Sequence, residues 1–236
     1  GDFVAANYNR FPLIIKYLDA KDDLSVQVHP KEGDNIKNEI WYFIQEPLSN
    51  KIVCGIDKSY STQDITSHLK YLKVSKGDFA FIPSGAVHAL TAGSFILEIQ
   101  QASDTTYRIY DWDRLDDEGQ SRELHIEEAK DHIQTHYEES HFCDEIQVVK
   151  ELKYAKIFCV RKTPHFCIEK INIHKEVDLS SLVSSFSVLN VVEGKIRIDT
   201  SAGEYSFNSG STVFIPAKLG DYSIFGEAML IHTYME

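Results

Sequence analysis

The sequence predicts a mainly β fold made of two similar units, each a sandwich or barrel, joined by a short, partly helical connection. A Gly-x5-Pro unit occurs twice, as Gly77-Asp78-Phe79-Ala80-Phe81-Ile82-Pro83 and as Gly210-Ser211-Thr212-Val213-Phe214-Ile215-Pro216. Each copy is a turn residue, a short strand of aromatic and branched side chains, and a proline that ends sheet pairing. Each also follows an apolar run, Ile40–Ile44 before the first and Phe186–Val192 before the second. The copies differ in what comes next. Ser84-Gly85-Ala86-Val87-His88 follows Pro83, whereas Ala217-Lys218-Leu219-Gly220-Asp221 follows Pro216, so only the first keeps an imidazole. The first unit is expected to do chemistry and the second to support it.

Taken in order, Phe11–Leu18 is a mostly apolar run suited to a buried strand, and Leu24–His29 alternates as a half-buried strand does. That alternation puts Ser25, Gln27 and His29 on one face, and Pro30 stops the strand. Residues 31–38 read as a polar loop leading into the aromatic strand Trp41–Ile44. Asp64–Leu72 reads as a short helix with Ser61 or Thr62 as its cap. Gly93–Gln101 and Tyr107–Tyr110 read as strands, and Glu123–Tyr137, in a charged stretch, as a helix. Strands resume with Ala155–Arg161, Phe166–Ile173, Phe186–Val192, Lys195–Asp199, Thr212–Ile215 and Ala228–Tyr234. The boundaries that follow are 1–114 for the first unit, 115–150 for the connection and 151–236 for the second unit.

Composition narrows the function. The formal charge is −12, from 24 basic against 36 acidic residues, which argues against nucleic acid or an anionic membrane as partner and for a small molecule or a protein. No apolar run approaches the roughly 20 residues of a membrane helix, and the start does not resemble a signal peptide, so a soluble, cytoplasmic protein is expected. Cys54, Cys143, Cys159 and Cys167 include no Cys-x-x-Cys pair and are expected as free thiols. Neither GxGxxG nor a Walker pattern occurs.

Gln27, His29, Glu39 and His88 are nitrogen and oxygen donors on or beside predicted strands. Two neutral imidazoles and a carboxylate form a ligand set that catalytic Zn²⁺ prefers. Each alone is more often a solvated or hydrogen-bonded polar residue than a metal ligand. A rival cluster, His125, His132, His136 and His141, sits among Glu127, Glu128, Lys130 and Asp131 and reads as a solvated helix rather than a metal site. Arg108 is suited to binding phosphate or stabilising an oxyanion, or to a plain ion pair with Asp104 or Asp111. Lys37 could add positive charge for an anionic substrate.

The blocks Phe11–Lys16, Asp19–Pro30, Glu39–Tyr42, Ile82–Leu90 and Glu98–Trp112 resemble the signature blocks of type I mannose-6-phosphate isomerases in their short bacterial form, and Gly77–His88 also fits the broader cupin pattern. The resemblance is dense from Phe11 to about Arg114 and looser beyond. It implies two cupin units, jelly-roll-like β-barrels, with the first catalytic. It also implies one Zn²⁺ per chain held by His29, Glu39 and His88, with Gln27 a fourth ligand, and Arg108 as the active-site arginine. Lys37, Ser25, Glu98 and Asp104 match positions around the family's substrate pocket. Only ten residues precede Phe11, where the family carries a longer segment, so the first barrel is expected to lack the family's first strands. A homo-oligomer formed through an exposed sheet edge stays open.

The implied reaction interconverts mannose 6-phosphate and fructose 6-phosphate through an enediol, with the metal polarising the carbonyl. Glu98, Asp104 and a metal-bound water all remain open as the base. The alternative is a non-catalytic cupin that binds a metal or a sugar phosphate as sensor or scaffold. A third reading, an iron-dependent cupin oxygenase, rests on ligand type alone.

Overall fold

The chain opens with a short helix, α1 (Asp2–Asn7), and then runs mainly as strand. The computed structural model describes residues 2–61, 64–142 and 146–235. It divides into two units, 12–144 and 1–11 together with 145–236. These boundaries differ from those read off the sequence at both ends. Residues 1–11 belong with the second unit, and 115–142 pack onto the first rather than bridging the two.

The 12–144 unit holds two sheets. β1 (Leu13–Asp19), β3 (Glu39–Gln45), β6 (Phe79–Ile82) and β8 (Phe95–Gln101) form one in the order β1-β8-β3-β6. β2 (Val26–Val28), β4 (Lys51–Ile56), β5 (Leu69–Lys73), β7 (His88–Ala89) and β9 (Tyr107–Tyr110) form the other, ordered β5-β4-β7-β2-β9. Strand alternation sends Trp41, Phe43, Ala80, Ile82, Ile96, Cys54 and Leu72 into one buried cluster. Val26, Val28, Val53, Ala89 and Ile109 lie on the opposite face of the five-stranded sheet, in a second cluster. Ala129 joins that cluster, and Ile126 and Ile133 pack on it.

Two expected helices are shorter than the sequence suggested. The Glu123–Tyr137 helix is only α2 (Ile126–Lys130), followed after a turn by α3 (Glu139–Phe142). Beyond α2 the chain runs across the barrel, where Gln134 N–H donates to Gly85 O (2.9 Å) and Tyr137 O–H to Ser84 O (3.0 Å). These tertiary bonds override helix propensity. In place of a helix over 64–72 there is one 3₁₀ turn, Thr66–His68, and then β5, whose Leu69 and Leu72 pair with Ile56 and Ile52 of β4. Ser61 is no cap for a helix there, and Thr62 lies outside the described residues, as does Cys143. No disulfide joins Cys54, Cys159 and Cys167 to one another.

The second unit is an eight-stranded sheet. It comprises β10 (Gln147–Glu151), β11 (Ala155–Lys162), β12 (Cys167–Ile173), β13 (Glu176–Ser180), β14 (Ser187–Thr200), β15 (Gly203–Asn208), β16 (Thr212–Ile215) and β17 (Asp221–Tyr234). The runs read as two strands over 186–199 are the single strand β14, bulged between Val191 and Glu193. An apolar core of Ile171, Leu189, Val191, Ile196, Ile198, Ile224 and Leu230 fills it.

The two Gly-x5-Pro copies adopt the same local structure. Gly77 and Gly210 take φ of +91° and +87°, a region open to glycine at little cost. Gly77 N–H donates to Phe43 O and Phe43 N–H returns a bond to Asp78 O, while Gly210 N–H donates to Val191 O and Val191 N–H returns one to Ser211 O. β6 then pairs with β3 as β16 pairs with β14. Counting from these matched turns, the second unit has Ser187 where the first has Glu39, and Asp221 where the first has His88.

Candidate functional site

The register of the 12–144 unit lines polar residues up in rows. Across the four-stranded sheet Ile14, Gln100, Glu39 and Ile82 are lateral neighbours, and one step along lie Lys16, Glu98, Trp41 and Ala80. Trp41, Ala80 and Ile82 belong to the inner cluster, so both rows face inward. Across the five-stranded sheet the row is Cys54, His88, Gln27 and Arg108, with Cys54 in the same cluster.

His29, Glu39 and His88 meet in this interior. One ligand atom from each lies within 4.8 Å of the others, and all three residues are at most 1% exposed. The His88 Nδ1 lies 2.9 Å from Ala86 O and the His29 Nδ1 3.2 Å from Thr105 O. A carbonyl can only accept, so each Nδ1 carries the proton and each Nε2 presents a lone pair inward. His29 Nε2 lies 3.1 Å from Glu39 Oε1, yet it is a buried nitrogen that makes no hydrogen bond among the described residues. Lys37 offsets the charge on Oε1, but the imidazole lone pair facing that oxygen is left without a partner of its own. The triad therefore fits a divalent metal, and the backbone carbonyls supply the outer support that fixes ligand tautomers.

Other groups surround it. Gln27 presents its amide 3.2 Å from His88 Nε2. Lys37 Nζ lies 2.7 Å from Glu39 Oε1, and Trp41 Nε1–H donates to Glu39 Oε2 (3.1 Å). Burial pushes the Glu39 carboxyl up, but its neighbours His29, Lys37 and His88 outweigh it and hold the group well below the usual range. Burial, reinforced by His29, takes His88 down to about 3, so its ring stays neutral across the physiological range. Glu98 is also buried, with Lys16 Nζ 2.9 Å from its Oε1. Desolvation first, and the Glu39 charge second, raise Glu98 to about 7 against the pull of Lys16 and Lys37.

Arg108 lies beside Gln27 in the inner row, and its Nη1 donates to Glu123 O (2.7 Å). His125 brackets its backbone, accepting from Arg108 N–H at Nδ1 (3.2 Å) and donating to Arg108 O (2.7 Å). Among the remaining expected site residues, Ser25 is buried just before β2, while Asp104 is exposed. Neither makes a hydrogen bond or ion pair to the triad among the described residues. Two inward residues went unselected in the sequence, Lys16 and Gln100, because only cross-strand register shows that they share a face with Glu39. The rival histidines form no metal cluster among the described residues. Instead His132 stacks on Tyr107, with centroids 5.1 Å apart.

A β unit that carries an inward His-Glu-His triad next to an inward arginine and lysines has the make-up of a cupin. A family model described as "Mannose-6-phosphate isomerase, cupin domain" matches residues 155–235. The probable mannose-6-phosphate isomerase GmuF of Bacillus subtilis (strain 168) is 37% identical over 241 residues, covering 94% of this chain and 75% of that protein. The mannose-6-phosphate isomerase ManA of the same strain is 34% identical, covering 96% and 76%. A crystal structure of the mannose 6-phosphate isomerase from Bacillus subtilis superposes with a TM-score of 0.85 at 30% identity, covering 98% of this chain and 78% of that one. The chain belongs to the mannose-6-phosphate isomerase family.

Proposed function

We propose that this chain interconverts mannose 6-phosphate and fructose 6-phosphate, with one zinc ion held by His29, Glu39, His88 and the Gln27 amide. The names of its relatives support the substrate pair. The observation that carries the reading is the convergence of His29, Glu39 and His88 in the buried interior, with the unpartnered His29 Nε2 facing Glu39.

When bound, the metal supplies Lewis-acid polarisation of the sugar carbonyl, which makes the neighbouring carbon acidic. The residues do the rest. Glu98, buried and facing the same interior, takes the proton from carbon 2 of the open-chain sugar and returns it to carbon 1 through an enediol, while the hydroxyl proton on O2 passes to O1. Lys16 holds Glu98 in place and steadies its ionised form. Arg108, held by Glu123 O and the His125 bracket, offsets the negative charge of the enediolate or the phosphate. Lys37 keeps Glu39 ionised and adds to the positive field that draws in an anionic substrate. Exposed Asp104 is a poorer choice of base than buried Glu98.

The test is a coupled assay converting mannose 6-phosphate to fructose 6-phosphate on zinc-replete protein, with elemental analysis alongside. Turnover in the parent, loss of zinc and turnover in His88→Ala, and loss of turnover with zinc retained in Arg108→Ala are expected. A parent that holds zinc without turnover would reject the isomerase in favour of a metal-binding cupin without catalysis.

A further inference from the structure

Gln100 lies on β8 between Ile14 and Glu39, in the inward row and one strand position from Glu98. It is 1% exposed. Its amide nitrogen donates to Gln101 O (3.1 Å) and to Ser103 O (3.1 Å). Both partners are carbonyls, which accept and never donate, so the amide cannot be turned over without setting oxygen against oxygen. The orientation is thereby fixed, and both amide hydrogens are used. Oε1 is left as a buried acceptor with no hydrogen-bond partner among the described residues. An orphaned buried acceptor is costly, and native interiors leave few of them without a reason.

Its surroundings say what kind of partner is missing. Lys37 pairs with Glu39, Lys16 with Glu98 and the Trp41 indole N–H with Glu39, and none of these inward donors reaches Oε1 among the described residues. Ser103, which follows on the same segment, donates its hydroxyl to Asn35 O (3.0 Å). An acceptor whose amide is anchored by two backbone carbonyls, in the same inward row as Glu39, suits a ligand that brings its own hydroxyl.

We propose that Gln100 is a substrate-reading residue whose Oε1 accepts a hydrogen bond from one hydroxyl of the hexose phosphate. This rests on the isomerase reading above and deepens it, assigning the recognition of the polyol chain to a residue beside the metal triad. A site that hydrogen-bonds a hydroxyl rejects the analogue lacking it far more strongly than an apolar pocket rejects an extra one. Gln100 would thus add to selectivity among hexose phosphates as well as to affinity.

The experiment measures, by calorimetry on zinc-loaded protein, the affinity of the parent and of Gln100→Met for mannose 6-phosphate and for a set of analogues each lacking one hydroxyl. The parent should bind one of the analogues about tenfold or more weakly than the natural sugar. Gln100→Met should bind the natural sugar more weakly by a similar factor and lose nothing further with that analogue. An equal loss across the whole set, or no loss, overturns the proposal. The parent needs no variant to be informative, because equal affinity for every analogue also overturns it should Gln100→Met fail to fold. The outcome is separate from that of the isomerase reading, since binding is read whether or not the parent turns the sugar over.

Discussion

Lys37 and Glu39, two residues apart at the entrance to β3, meet inside the barrel with Nζ 2.7 Å from Oε1. Both are almost wholly buried. A buried ion pair that loses one partner leaves an uncompensated charge, which costs more than the pair itself contributes. Lys37→Met should therefore destabilise the metal-free protein by about 3 kcal/mol, read from urea unfolding. Zinc can take over the missing positive charge, so the deficit should shrink on loading. A deficit of the same size with and without zinc would show that Lys37 does not work through Glu39.

Removing the metal gives a second prediction. Chelation should abolish turnover and lower the unfolding temperature, and zinc should restore both, because a ligand that binds only the folded state stabilises it by mass action. His88→Ala should respond to neither treatment. Differential scanning calorimetry with elemental analysis checks this, and a chelated parent that keeps full activity would exclude a catalytic metal.

Glu98 sets a pH dependence with a definite sign. Its carboxyl titrates near 4.5 in the unfolded chain and at about 7 in the fold, where burial is the main cause. Folding takes up a proton between those values, so this contribution to stability is whole below the lower one and is lost as pH rises through the upper one. Glu98→Gln removes the dependence. The stability of the metal-free parent relative to this variant should fall by about 3 kcal/mol between about pH 4 and about pH 8. Urea midpoints at the two ends suffice, and a constant difference would mean that Glu98 is ionised throughout.

Gly85 ties a ligand to the chain that crosses the barrel. Its N–H donates to His29 O (3.1 Å) and its carbonyl accepts from Gln134 N–H (2.9 Å). Its φ is +84°, and an added Cβ would lie 3.0 Å from His132 O. Gly85→Ala should cost about 1–3 kcal/mol from the left-handed backbone and the crowding together. Because the strain falls next to His29, zinc affinity should drop as well. Normal zinc affinity in a destabilised variant would uncouple the turn from the site.

The parts of this architecture that were legible in the sequence are those set by short-range pattern. Alternation around Gln27 and the spacing from Gly77 to His88 put the donors on inward positions, and the repeated glycine motif marked two turns of the same local structure. What stayed hidden depends on register between distant strands. Lys16 sits in an apolar run and looks like a solvent-facing lysine until β1 is paired with β8 beside Glu98. β4 and β5 carry too little alternation to be separated from loop and helix, and the Glu123–Tyr137 stretch has helical composition that its contacts with Ser84 and Gly85 overrule.

The two imidazoles are clamped by Ala86 O and Thr105 O before any ion arrives. Their rotational freedom is surrendered during folding, so coordination demands little further ordering of these rings. Capture of the ion should then be governed by how quickly it sheds its hydration shell and reaches the interior, and not by a slow search among side-chain rotamers.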